Sequence, residues 1–176
     1  MDLRTEIVEA QKARAELFKW KIILVAALGG AALGIAGESH GSREYLLALA
    51  PLVCVYVDTL CAHLDLRILI IGAFLRKNSF PRGSEGYMVR KYEQFVEKVR
   101  AAENRSNLDP FDLENFALYV TTGLLSLSVV LWGLFKAAPF WQALLLVSSG
   151  LAGFGMSFAV NHRFERRARS LRELEP

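Results

Sequence analysis

The sequence predicts an all-α, multi-pass membrane protein: four transmembrane helices in two hairpins, helical extensions on the cytoplasmic side, and both termini cytoplasmic. Three observations carry this expectation. The 176-residue chain is 53% hydrophobic yet keeps 22% charged residues, close to the roughly 25% of soluble domains, so greasy and charged residues have to be kept apart along it. Four long stretches carry no charge. The basic residues, finally, collect on alternate segments. The same composition excludes intrinsic disorder and a collagenous repeat, and two cysteines are too few for a disulfide-stapled small domain.

The elements follow in chain order. Residues 1–21 read as a cytoplasmic amphipathic helix, in which Leu3, Ile7, Ala10, Arg14 and Leu17 recur at steps of four, three, four and three and so share one helix face. Residues 22–76 form the first transmembrane hairpin. Its first span, Ile22 to Gly37, is sixteen residues without a charge and reaches the roughly 20 needed to cross a bilayer only with its flanks, Trp20 and a snorkelling Lys19 and Lys21. Its second span, Tyr45 to Leu64, contains Asp58, with Ile68 to Leu75 expected as a short interfacial piece beyond Arg67; the alternative is one helix unbroken to Leu75, about 46 Å long, with Asp58 near its middle. Residues 77–109 form a cytoplasmic loop that breaks at Pro81, Gly83 and Gly86 and holds an amphipathic helix over 87–104. The second hairpin, 110–161, starts at Asp109-Pro110, a capping residue followed by a first-turn proline, and turns near Lys136, with Pro139 opening its last helix. Its uncharged runs are Asn115 to Phe135 and Ala137 to Asn161. Residues 162–176 are a basic cytoplasmic tail, in which Phe164, Ala168 and Leu171 repeat the four-and-three spacing.

Orientation comes from charge. Counted over the N-terminal segment, the first loop, the middle loop, the second loop and the tail, basic residues number five, one, nine, one and five, so 19 of 21 fall on one side. That is the positive-inside pattern of a bacterial inner-membrane protein with both ends in the cytoplasm. Trp20 and Phe164 fit the inner interface, and Tyr45, Trp132 and Trp141 the outer one. The acceptor triplet Asn104-Arg105-Ser106 then lies on the cytoplasmic side and is discounted.

Small residues mark helix packing. Ala26, Gly30 and Gly34 repeat every fourth position in the first span, and Ser149, Gly153 and Ser157 do so in the fourth. Lipid gives no hydrophobic drive between helices, so close backbone approach supplies the attraction.

Chemistry is concentrated in the second helix. At 100° per residue, Cys54, Asp58, Cys61 and Asp65 share a narrow sector, while Tyr56, His63 and Arg67 lie opposite. An intramembrane carboxylate is expensive and is treated first as a functional site, so Asp58, Cys61, His63, Asp65 and Arg67 form the candidate polar site. The bland alternative is an ion pair of Asp58 with Arg67, Lys19 or Lys21. Cys54 and Cys61, two turns apart, are about 10 Å from each other, too far to share a metal ion or a disulfide. No metal, cofactor or catalytic residue is expected: phosphate-binding loops, HExxH and nucleophile elbows are absent. Gly153-Phe154-Gly155 lacks both a preceding strand and a third small residue, so it is no dinucleotide fingerprint.

The functional expectation is a non-enzymatic, homo-oligomeric membrane module, a pore-type effector or an anchoring subunit. Its partners are the lipid bilayer and a cytoplasmic protein met through Met88, Tyr92, Phe95 and Val99, with no nucleic-acid role for the basic tail. The alternative is a small proton- or cation-coupled transporter or channel working through Asp58.

Overall fold

The computed structural model describes residues 3–34, 43–77, 81, 83–84, 86–92, 94, 110–136 and 139–173. Four long helices carry the fold: α1 (Leu3–Ala32), α2 (Leu49–Lys77), α3 (Pro110–Phe135) and α4 (Phe140–Glu173), with a short 3-10 turn, Glu44–Ala48, leading into α2. Among the described residues there is no strand. Among the same residues three helical stretches are long and apolar enough to cross a membrane: Glu44–Leu75, Phe116–Phe135 and Phe140–Ala168. The protein is therefore a helical bundle consistent with an integral membrane protein.

The ends of the helices follow local chemistry. α1 closes with the Leu33 amide on the Gly29 carbonyl at 2.9 Å, and Gly34 follows at φ +71°, the left-handed position that glycine takes at a helix C-terminus. Gly34 thus ends α1 rather than continuing its small-residue stripe, and the helix stops short of Gly37. α3 begins at Pro110 as expected. Pro139 stands one place earlier than expected, ahead of α4, its carbonyl accepting from the Gln142 and Ala143 amides at 3.0 and 3.1 Å. The expected break in the middle segment is a turn at Pro81–Ser84. There the Ser84 hydroxyl donates to the Pro81 carbonyl at 2.7 Å and accepts from the Tyr87 amide at 3.3 Å, capping a helix seen over 86–92. The remainder of the 87–104 helix, the Asp109 cap and the triplet at Asn104 lie outside the described residues.

α2 does not break after Leu64. It runs on through Arg67 to Lys77, so Ile68 to Leu75 is part of one continuous helix. The reason is packing: Ile71 and Leu75 are buried, and no proline interrupts the run. Ala10 in α1 and Phe164 and Ala168 in α4 are buried as well, so each helix keeps an inward face well past the apolar stretch. Phe164 is therefore a packing residue and not an interfacial anchor. Trp20, Tyr45 and Trp141 are exposed, while Trp132 points its indole Nε1 at Glu44 Oε2, 3.2 Å away.

α1 packs along α2 as far as the Glu44–Ala48 turn, α2 packs on α4 and less on α3, and α3 packs closely on α4. The α3–α4 and α2–α4 seams are tight. A methyl at Gly150 would come within 2.6 Å of Val130 Cγ2, and one at Gly153 within 2.5 Å of Pro51 Cβ. Ser149 donates to the Ala48 carbonyl across the same seam, and Ser157 is buried. The stripe Ser149, Gly153 and Ser157 is thus spent inside the chain. The α1 stripe is not, as far as the described residues go: among them a methyl at Gly29 or Gly30 meets nothing within 4 Å, and Ala26 is exposed.

A buried charge cluster joining three helices

Asp58 lies at the centre of the candidate site and has no exposed surface. Its partner is Lys21, itself only 3% exposed, whose Nζ lies 2.7 Å from Asp58 Oδ1. The same ammonium donates to Thr122 Oγ1 at 2.7 Å and to the Leu118 carbonyl at 3.1 Å. Thr122 in turn donates to Asp58 Oδ2 at 2.6 Å. An ammonium has three protons and all three are used; both carboxylate oxygens accept a strong bond. One residue from each of α1, α2 and α3 therefore closes a network with no donor wasted.

Seven residues away on both helices the arrangement repeats. Arg14 Nε lies 3.1 Å from Asp65 Oδ1, with the Asp65 side chain almost wholly buried. Two cations at heptad spacing on α1 thus face two carboxylates at heptad spacing on the antiparallel α2. A third, exposed pair lies further along, where Arg67 reaches Glu6 Oε1 from Nη2 at 2.6 Å and from Nε at 2.8 Å.

The structure thus divides the expected polar site. Asp58, Cys61 and Asp65 share the buried face of α2 with Cys54, as their spacing requires. His63 is exposed, and Arg67 is turned away from Asp58 toward Glu6. Cys54 and Cys61 are free thiols. Lys21 is not a snorkelling flank, because its ammonium points into the bundle. Thr122 and the Leu118 carbonyl, the other two partners, escaped the sequence reading, where Thr122 was one of several scattered polar residues. The signal for Lys21 was nevertheless present: it is the next step of the stripe Leu3, Ile7, Ala10, Arg14 and Leu17.

The depth of the cluster follows from register. Pro51 abuts Gly153. Seven residues further along the parallel α2 and α4, Asp58 comes level with Val160, so the first charge of α4, Arg163, is about one turn or 5 Å beyond it. From Phe116, where the apolar run of α3 begins, Thr122 is about 9 Å in. The cluster sits just inside the basic end of the apolar zone.

On the basic side of the cluster a cavity of about 570 Å³ opens, lined by Arg14, Phe18, Cys61, Asp65 and Leu118 among others. Because α1 packs on α2 and scarcely touches α3, α2 forms its floor and α1 and α3 its walls. Met88 and Tyr92 are exposed; Phe95 and Val99 lie outside the described residues.

Fold and cluster together define a helical membrane-type bundle braced by internal ion pairs. Comparison with protein-family models, with curated proteins and with solved structures gives no match for this chain.

Proposed function

We propose that this chain is a four-span, non-enzymatic module of a bacterial inner membrane, with both termini cytoplasmic, that acts by assembling with further copies of itself and transmits that assembly to a cytoplasmic partner. α1 is the fourth span in this reading. Its own charges keep it from qualifying on hydropathy, but Lys21 is neutralised by Asp58, and α1 accompanies α2 to its far end. The observation that carries the assembly reading is the contrast between the two glycine stripes. Gly150 and Gly153 are filled by the chain's own side chains, whereas Gly29 and Gly30 meet none of the described residues on a helix that also exposes Ile22, Ile23 and Leu24. A span with an unfilled small-residue face suits a second copy of α1, because close backbone approach gives the dispersion contact that lipid does not reward otherwise. Met88 and Tyr92 supply an exposed apolar surface for the partner.

Cysteine cross-linking in membranes tests this. Gly30→Cys should form disulfide-linked dimers under mild oxidation, while Leu145→Cys, on an exposed part of α4, and the parent chain with its buried thiols should not. Monomers from Gly30→Cys at every expression level would remove the support.

Cation- or proton-coupled transport through Asp58 is a second reading, favoured by the cavity that reaches Cys61, one turn from Asp58. It requires the Lys21 bond to open during a cycle, and flux into liposomes that vanishes in a folded Asp58→Asn variant.

A further inference from the structure

We propose that the outward face of α4, where its apolar run gives way to Arg163, Arg166 and Arg167, is a binding surface for anionic phospholipid headgroups of the cytoplasmic leaflet. This inference rests on the membrane reading given above and names the lipid that the bundle selects. The face is apolar and open up to the boundary: Leu151 is 57% and Phe158 70% exposed, and a methyl at Gly155 would meet none of the described residues within 4 Å. It then changes character within one turn. Residues four apart lie on nearly the same side of a helix, so Ala159, Arg163 and Arg167 continue one exposed row and Phe158, His162 and Arg166 the next. Phe164 and Ala168 are buried and anchor this part of α4 to the bundle, so the arginines keep a fixed depth. Among the described residues no carboxylate pairs with any of the three. Glu165 lies roughly 100° or more round the helix from each of them and accepts from Asn161 Nδ2 at 3.4 Å. A guanidinium fork grips a phosphate through two parallel hydrogen bonds, and three forks within about 6 Å along the axis offer that grip at one level. The level is that of the headgroups: Asn161 ends the uncharged run of α4, and Arg163 follows about 3 Å beyond it. The stacked rings of Phe158 and His162, 6.3 Å apart and 10° from parallel, bridge the join between acyl chain and phosphate. A zwitterionic headgroup brings its own cation to the same place, so a lipid of net negative charge is preferred. A nucleic acid spreads its contacts over a longer run of phosphates, whereas this cluster fills one turn and adjoins apolar surface.

The test is lipid retention by the full chain in detergent, read by native mass spectrometry with dioleoyl phosphatidylglycerol and dioleoyl phosphatidylethanolamine, which differ in net charge. Phosphatidylglycerol should be retained at about tenfold lower concentration, since each arginine near an anionic surface contributes roughly fivefold. Arg163→Gln, Arg166→Gln and Arg167→Gln together should erase that preference. If this triple variant loses its helical circular dichroism, Arg166→Gln alone should weaken phosphatidylglycerol retention roughly fivefold. Lys12→Gln with Lys19→Gln, two exposed cations of α1, should leave the preference intact. Equal retention of the two lipids by the parent chain, or a preference that survives the arginine variants, would overturn the proposal. The same loss from the α1 pair would overturn it in favour of a response to overall charge. A single-stranded oligonucleotide whose binding needs the three arginines, with no preference between the lipids, would overturn it in favour of nucleic acid. A chain that stays monodisperse without detergent would instead defeat the membrane reading itself.

Discussion

Lys21, Asp58 and Thr122 illustrate how a buried charge becomes tolerable. Each charged group alone is expensive in a low-dielectric setting, and truncating one member of such a pair typically costs about 3–5 kcal/mol because the other is stranded. Asp58→Asn should therefore lower stability in detergent by about that amount, seen as a clear drop in the thermal midpoint. Replacing both partners in Lys21→Met with Asp58→Leu should recover most of the loss, since a well-packed apolar pair has no desolvation penalty. A fully additive double variant would show that the two side chains do not interact. Thr122→Val keeps the shape and removes one hydroxyl that both accepts from Lys21 and donates to Asp58. A loss of about 1–3 kcal/mol is expected for leaving those groups short of a partner, measured by the same thermal or denaturant titration. At this scale the sequence was half legible. The shared face of Asp58, Cys61 and Asp65 follows from helical geometry alone. Which cation answers Asp58 depends on the register of α1 against α2, and that register is a tertiary property: Lys19, Lys21 and Arg67 were all eligible, and only Lys21 lies on the inward stripe.

The helices differ in what they ask of their neighbours. α3 and α4 are apolar enough to be recognised singly, and their seam is set by Gly133 and Gly150, where an added methyl would come within 2.9 Å of Leu146 Cβ and 2.6 Å of Val130 Cγ2 on the facing helix, while Gly153 sets the seam of α4 with α2, 2.5 Å from Pro51 Cβ. Gly153→Leu should destabilise the monomer by more than about 3 kcal/mol, above the usual range for overpacking because the obstacle is Pro51 on a rigid helix. Gly29→Leu should leave the monomer's thermal midpoint unchanged, because none of the described residues lies within 4 Å, while weakening the cross-link expected from α1. Comparable destabilisation by both variants would mean that α1 is packed within its own chain. The apolar spacing made the helices themselves easy to anticipate. It could not reveal that α2 continues past Arg67, because a polar residue ends a span only when it must leave the bundle. Arg67 is already on the outer face and pairs with Glu6, so the inner face of Ile71 and Leu75 carries on uninterrupted. Likewise Gly34 looked like one more packing glycine; the structure uses its positive φ.

For the molecule as a whole, the account depends on α1. Among the described residues three spans are selected, whereas the charge distribution along the sequence calls for four, and the proposal that α1 is the fourth leans on the Lys21–Asp58 bond. A helix that is too polar to insert alone becomes a credible span once its ammonium is answered from α2 and α3. Together with Arg14–Asp65, the bond also fixes α1 antiparallel to α2 over one heptad. Overall class was visible from composition and segregation of charge. The route by which the least apolar helix joins the others was not, since it needs side chains distant in sequence to meet.

Side-specific thiol labelling in sealed inverted membrane vesicles tests this most directly, using single cysteines at Thr5, Arg43, Lys136 and Ser170 with the buried native thiols as background. The account predicts that Thr5→Cys and Ser170→Cys react with a membrane-impermeant maleimide from the outside of those vesicles, and that Arg43→Cys and Lys136→Cys react only after permeabilisation. Thr5→Cys and Arg43→Cys labelling from the same face would contradict it.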